Sequence, residues 1–162
     1  MMLCRLSPKT VQDLLSGHPE FRSLRIACEN GPENTVVGGS KAELEALAGL
    51  CKSTNVKATM VDVPFAFHTF AMDPMMESFS HQLRSVRLKS PAIPVGSGLR
   101  GRILSLDEPI EPSYFAEHCR ETLQFHRLTD DIVATYSGAD KAVALIEMGP
   151  SAASKWPGSI PD

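Results

Sequence analysis

Between Met2 and Val63 the apolar pattern switches repeatedly between a period of two and a period near 3.6, and a breaker residue marks each switch. Met2 to Leu6 is short and apolar enough for a strand. Ser7-Pro8 opens a helix: the serine caps it, and proline fills the first helical position, where its missing N–H costs nothing. Val11, Leu14 and Leu15 give that helix an apolar side, and Gly17 and Pro19 end it. Leu24, Ile26 and Cys28 alternate with Arg25 and Ala27, as a strand requires. Asn30-Gly31-Pro32 is a turn signal, and β-branched Thr35 to Val37 pairs back as the second arm of a hairpin. After Gly38-Gly39, Ser40 with Glu43 fits a capping box. Leu44, Leu47, Ala48 and Cys51 then share one helix face. Val56 to Val63 is a last strand, stopped by Pro64. The order β-α-β-β-α-β defines the split βαβ arrangement. An α+β fold follows, with residues 2–63 a ferredoxin-like small subdomain: a four-stranded antiparallel sheet with two helices on one face.

Residues 64–151 read differently. Asp73-Pro74 starts a helix with Met72, Met75, Met76, Phe79 and Leu83 on one side, a stripe expected to pack as core. Pro91 to Gly101 should be loop around a short strand at Ile93 to Val95. Ser113 to Tyr136 is helical in character. Ala142 to Ile146 is a continuous apolar run, suited to a strand buried on both faces of a parallel sheet. One such strand without partners points to part of a larger α/β body. Residues 152–162 read as a disordered tail.

Composition excludes several classes of function. The chain has 162 residues, a net charge of −3 and 43% hydrophobic residues, an ordinary globular balance. Arg84, Arg87 and Lys89 are its densest basic group, a solvated face rather than a footprint for nucleic acid. No stretch approaches the roughly 20 apolar residues needed to span a membrane, and the N-terminus lacks signal-peptide features. Cys4, Cys28, Cys51 and Cys119 form no C-x-x-C pair and sit in apolar surroundings. They read as buried thiols of a reducing, cytoplasmic compartment, with no metal site.

The chemistry centres on Pro64-Phe65-Ala66-Phe67-His68-Thr69, at the end of the last small-subdomain strand. An imidazole there can relay a proton near neutral pH; on spacing alone, a satisfied, half-buried histidine is the plainer reading. His118 and His126 are taken as surface or interface residues. Asp130-Asp131 reads as a solvated loop, and His18 and His81 have no partners in the sequence.

Five stretches together carry a family resemblance. Ile26 to Val37, with Asn30-Gly31-Pro32 and Thr35-Val36-Val37, resembles the N-G-P-x-x-[TS]-V-[VL] hairpin of malonyl-CoA:acyl-carrier-protein acyltransferase domains. Val63 to His68 resembles the x-A-F-H motif of that family, and Met72-Asp73-Pro74 follows at its spacing. Leu123-Gln124-Phe125 resembles the later [VL]-Q-[FW] motif, and Glu147-Met148-Gly149-Pro150 the closing E-x-G-P. The details look like iterative fungal polyketide synthases of the non-reducing type, over about residues 2–151. On this resemblance, residues 64–151 are a C-terminal part of an α/β-hydrolase-like acyltransferase core.

The resemblance implies roles. His68 would be the general base and acid, and the Gln124 backbone carbonyl would accept the other ring N–H of the histidine. Asn30 would lie close to the acyl pocket. Phe67, with Phe65, would wall off an α-methyl branch, so that malonyl is preferred to methylmalonyl. The substrate would be malonyl-CoA and the partner an acyl-carrier protein or domain with its phosphopantetheine, alongside the remaining synthase domains; no metal or redox cofactor is implied. One departure stands out: no complete G-x-S-x-G elbow occurs. Ser40 and Ser151 come nearest, each as G-x-S-x-A, and Ser40 is better explained as a helix cap. The family places its serine nucleophile and its carboxylate-binding arginine before the small subdomain. The expectation is therefore a C-terminal fragment without the nucleophile, inactive alone. The competing reading is a non-catalytic ferredoxin-like module that docks a carrier protein or a synthase subunit.

Overall fold

The structure, a computed structural model, describes residues 1–137 together with Ala144, Ile146 and Met148. The expected strand Ala142–Ile146, apart from Ala144 and Ile146, and the tail 152–162 lie outside the described residues.

The first half forms β1 (Met2–Cys4), α1 (Pro8–Gly17), β2 (Arg25–Gly31), β3 (Asn34–Gly38), α2 (Lys41–Ser53) and β4 (Ala58–Met60). The strands make one sheet in the order β2-β3-β1-β4, and every neighbouring pair is antiparallel. Met2 and Cys4 point to the same side of β1 and meet Val11 of α1 and Leu44, Leu47 and Cys51 of α2 in a single core. Each of those two leucines removes enough apolar surface from water to contribute about 1.5–3 kcal/mol.

Local chemistry sets both helix starts. Ser7 Oγ accepts from Thr10 N at 3.1 Å, and Ser40 Oγ accepts from Glu43 N at 3.3 Å. The capping box at α2 is only half closed, because the Glu43 carboxylate turns away to accept from Ser23 N at 2.8 Å. The cap thereby ties α2 to the segment leading into β2. The last strand is shorter than the Val56–Val63 run suggests. Its only sheet partner among the described residues is β1, which pairs from Met2 to Cys4, and single bonds at Arg5 N to Lys57 O and Val61 N to Met1 O (both 2.9 Å) close the ladder.

Beyond Pro64, a 3-10 turn at Phe70–Met72 leads into α3 (Asp73–Leu83), followed by β5 (Val95–Ser97), β6 (Arg102–Leu104), α4 (Ser113–Arg120) and α5 (Phe125–Tyr136). Three expectations change here. The short strand lies at Val95–Ser97, because its residues pair with Arg102–Leu104 across a turn in which Gly101 takes φ 62°. The helical stretch 113–136 is two helices, parted by an extended Glu121–Gln124 segment. The methionine stripe is not a core: Met72 is buried, but α3 contains no buried residue, and Met75 is 40% exposed.

The two halves are joined by that extended segment. Leu123 runs parallel beside β2, donating N–H to Ala27 O at 2.9 Å and accepting from Glu29 N at 2.7 Å. Thr122 Oγ1 adds a bond to Ile26 O at 2.7 Å.

Candidate functional site

The Phe65–Thr69 turn sits against β3 at Gly38, where a Cβ would lie 3.0 Å from Thr69 Cγ2 and 3.2 Å from Ala66 Cβ. Glycine is needed there for the turn to approach the strand. Thr69 is buried; its hydroxyl donates to Ala66 O at 2.6 Å and accepts from Ala71 N at 3.2 Å. This closes the turn around His68, whose φ of 61° is left-handed, a conformation that L-residues adopt at a cost of about 1–2 kcal/mol. Two bonds to α4 hold it there. His68 N donates to Cys119 O at 3.0 Å, and His68 Nδ1 lies 2.7 Å from His118 O.

That second contact assigns the tautomer. A carbonyl oxygen can only accept, so Nδ1 carries the proton and the neutral ring keeps a free lone pair on Nε2. The ring is half-buried, and burial holds its pKa below the ordinary 6.5, against the opposing pull of the His118 carbonyl. A neutral imidazole so oriented is a proton acceptor at Nε2 near neutral pH.

His118 also brings its ring edge-on to His68, with centroids 5.4 Å apart and planes at 83°. The Tyr114 and His118 ring centroids are 6.0 Å apart, with planes at 37°. Burial lowers the His118 pKa as well. The sequence reading took His118 as a surface or interface residue; the structure places its carbonyl and ring against His68. A backbone carbonyl has no sequence signature, and the two histidines are 50 residues apart.

Gln124 does not do what was expected of it. Its carbonyl accepts from Leu128 N at 3.1 Å and its N–H donates to Gly98 O at 2.7 Å. Its side chain bonds Arg127 at 2.6 Å and Leu99 O at 3.5 Å. The residue starts α5 and anchors the β5–β6 turn, which leaves the histidine-orienting position to His118. Phe65 and Phe67 do come together, ring edge to face at 6.0 Å, and both are exposed beside His68. Asn30 is half-buried on β2 and makes no hydrogen bond to the His68 group.

A cavity of about 220 Å³ opens at His68, lined also by Arg25, Phe70, Arg120 and Thr122. Arg120 is engaged at this wall: its guanidinium bonds Asp73 at the start of α3 and lies 3.7 Å from Glu121. Another cavity, about 340 Å³, lies between α1 and the Pro19–Arg25 segment.

Solved structures share this fold. The structure superposes on malonyl CoA-acyl carrier protein transacylase from Burkholderia pseudomallei with a TM-score of 0.79 and 22% identity, covering 91% of this chain and 50% of that one. It matches the acyltransferase domain from the second module of the salinomycin polyketide synthase with a TM-score of 0.72 and 26% identity, over 82% of this chain and 30% of that one. The fold is that of polyketide synthase acyltransferase domains.

Sequence relatives narrow the class. A non-reducing polyketide synthase of Ustilaginoidea virens is 46% identical over 112 residues, 68% of this chain and 5% of that protein. The conidial pigment polyketide synthase of Pestalotiopsis fici is 36% identical over 151 residues, 93% of this chain and 7% of that protein. The norsolorinic acid synthase of Emericella nidulans is 31% identical over 152 residues, 94% of this chain and 7% of that protein. This chain belongs to the acyltransferase region of the fungal non-reducing polyketide synthases, and it spans less than a tenth of the length of these relatives. No protein-family model matches it.

Proposed function

We propose that these residues are the proton-handling part of a malonyl-CoA:acyl-carrier-protein acyltransferase site. The observation that carries the reading is the His68 Nδ1 contact to the His118 carbonyl, which leaves Nε2 as a base. A serine from a segment other than these residues attacks the malonyl thioester of coenzyme A while His68 Nε2 takes its proton. The tetrahedral intermediate collapses to acyl-serine, and the proton on His68 goes to the departing coenzyme thiolate. In the second half, the phosphopantetheine thiol of a carrier protein or domain loses its proton to His68 and attacks the acyl-serine. Serine then leaves and takes the proton back. Acyl transfer of this kind requires no metal or redox cofactor, and the enzyme would work in the cytoplasm beside the other synthase domains.

In this reading residues 2–63 are the ferredoxin-like small subdomain, and the stretch from 64 to 151 is part of the acyltransferase core. Phe67 and Phe65 form the wall against α-branched acyl groups, and Asn30 lies toward the acyl chain. The antiparallel β2-β3-β1-β4 order supports the first assignment, and the paired rings beside His68 support the wall.

The test uses a synthase that carries this stretch. His68→Ala should lower transacylation turnover by several orders of magnitude, on the order of 10⁶-fold if His68 acts as one unit with the serine. Retained acyl-enzyme formation in that variant would overturn the assignment. Phe67→Ala should raise the share of methylmalonyl loaded relative to malonyl.

A further inference from the structure

Met72-Asp73-Pro74 takes no part in the proton transfer described above, yet Asp73 makes one bond that bears on it. Its carboxylate, at the start of α3, pairs with Arg120, the last residue of α4. The two residues just before Arg120 are the ones that hold His68. Cys119 O accepts the His68 backbone N–H at 3.0 Å, and His118 O lies 2.7 Å from Nδ1. Both carbonyls belong to the last turn of α4, where a helix supplies no N–H of its own to meet them. The aim of the imidazole therefore follows the position of that turn. A displacement of about 1 Å would carry both bonds past hydrogen-bond range and release the ring tautomer that keeps Nε2 unprotonated.

Apolar packing contributes little to fixing α4. Ala116 is its one buried residue, and Phe115 is exposed. Polar bonds hold the helix instead. The Tyr114 hydroxyl and Ser97 Oγ lie 2.6 Å apart, and Arg100 Nη2 donates to Glu117 Oε2 at 2.6 Å. Both of these reach the β5–β6 hairpin. Beyond the helix, Thr122 and Leu123 bond β2, which fixes where α4 ends but not how its last turn is rotated. The Arg120–Asp73 pair ties that turn to α3. The chain leaving His68 is thus fastened, at Asp73, back onto the turn that holds His68.

We propose that Asp73 is a positioning residue for His68: through Arg120 it sets the last turn of α4, and with it the two carbonyls that fix the backbone and the ring of the histidine. Arg120 lines the cavity at His68 and Asp73 does not, so Asp73 acts through its partner and not on the substrate. The Asp73 side chain is 56% exposed, so the pair adds little to stability, and its effect on the site is separable from its effect on folding. As a statement about catalysis this rests on the acyl-transfer reading above; as a statement about geometry it does not.

Two measurements test it. In the isotope-labelled 162-residue chain, the His68 ring nitrogens report the tautomer by NMR. In a synthase that carries this stretch, malonyl transfer gives kcat and KM. Asp73→Ala should move the His68 nitrogen signals toward a mixture of tautomers and lower kcat about tenfold, with KM changed by less than about twofold. Asp73→Glu, which keeps a carboxylate for Arg120, should restore most of both. In an Arg120→Gln background, Asp73→Ala should have no further effect, because the partner is already gone. Asp13→Asn, which breaks the exposed pair with Lys9 on α1, should change neither readout. His68 signals unmoved by Asp73→Ala would overturn the proposal, whatever the activity did. An unchanged kcat, in a synthase where His68→Ala abolishes transfer, would overturn it too and leave the acyl-transfer reading standing. Transfer that survives His68→Ala would overturn that reading instead, and the tautomer signals would still decide whether Asp73 sets the ring.

Discussion

The sheet with its two helices and the stretch after Pro64 bury their apolar side chains to different degrees. In the first, Met2, Leu24, Val37, Leu44 and Leu47 are each at most 2% exposed and share one core. In the second, buried residues are scattered. Leu99, Leu104 and Leu128 gather around the β5–β6 hairpin, while α3 has no buried residue and Val86, Leu88, Ile93 and Phe115 are exposed. Polar bonds compensate in part: Ser97 bonds the Tyr114 hydroxyl at 2.6 Å, and Asp131 accepts from Ile103 N at 2.7 Å. The first region has a core of its own, and the second is positioned by bonds to it. His68 lies at the seam, so its geometry depends on both.

The largest effects should separate the two regions. Leu47→Ala removes a 2%-exposed side chain from the shared core and should cost about 2–5 kcal/mol in urea unfolding. Phe79→Ala, on the half-exposed face of α3, should cost less than about 1.5 kcal/mol. Equal losses would erase the contrast. At the seam, Gly38→Ala drives a methyl into Thr69 and Ala66 and should cost about 1–3 kcal/mol. Adding Thr69→Ser removes the methyl that the new Cβ meets at 3.0 Å and should recover part of the loss. The hydroxyl that holds the turn is kept, so the His68 imidazole signal should return toward its original position. Ser40→Ala removes a cap local to the first region and should cost about 1 kcal/mol.

The pH dependence should arise at the seam. Both His68 and His118 are held below the ordinary 6.5, chiefly by burial. The unfolded chain therefore binds protons at a higher pH than the folded one. Their contribution is complete above about pH 6.5 and is lost as pH falls toward the folded values. Urea midpoints should fall from pH 7.5 to pH 5, and His118→Phe should flatten that fall. A midpoint insensitive to pH in this range would mean that the two rings are not buried in solution. The smallest effect should come from Asp73→Asn. Its ion pair with Arg120 leaves the two side chains 56% and 32% exposed, so the loss should stay below about 1 kcal/mol and shrink further in salt.

How legible each part was in the sequence follows the same division. The caps at Ser7 and Ser40 and the β-α-β-β-α-β order are decided by neighbours in the chain, and the structure has them. The length of β4 was misjudged because pairing partners, not propensity, end a strand: β1 offers only Met2 to Cys4. In the site, position alone favoured a plain half-buried histidine at His68; the resemblance of Val63 to His68 to the x-A-F-H motif marked it, while its orienting partner was placed on Gln124. A carbonyl donated by a residue's backbone leaves no trace in that residue's identity. The same holds for Leu123, whose pattern reads as helix but which is drawn straight by bonds to Ala27 and Glu29.

That straightened segment bears on how the molecule avoids its own copies. In the order β2-β3-β1-β4, β2 is the outer strand on one side. A seven-residue outer strand with free N–H and C=O groups is a template for another chain to join. Thr122 and Leu123 occupy the Ile26, Ala27 and Glu29 groups that would otherwise face outward, and the strand at the opposite edge is only three residues long. The stretch with the weaker core thus shields the stronger one from self-association. Loosening it should show first as aggregation through the uncovered β2 edge, before the sheet itself is lost.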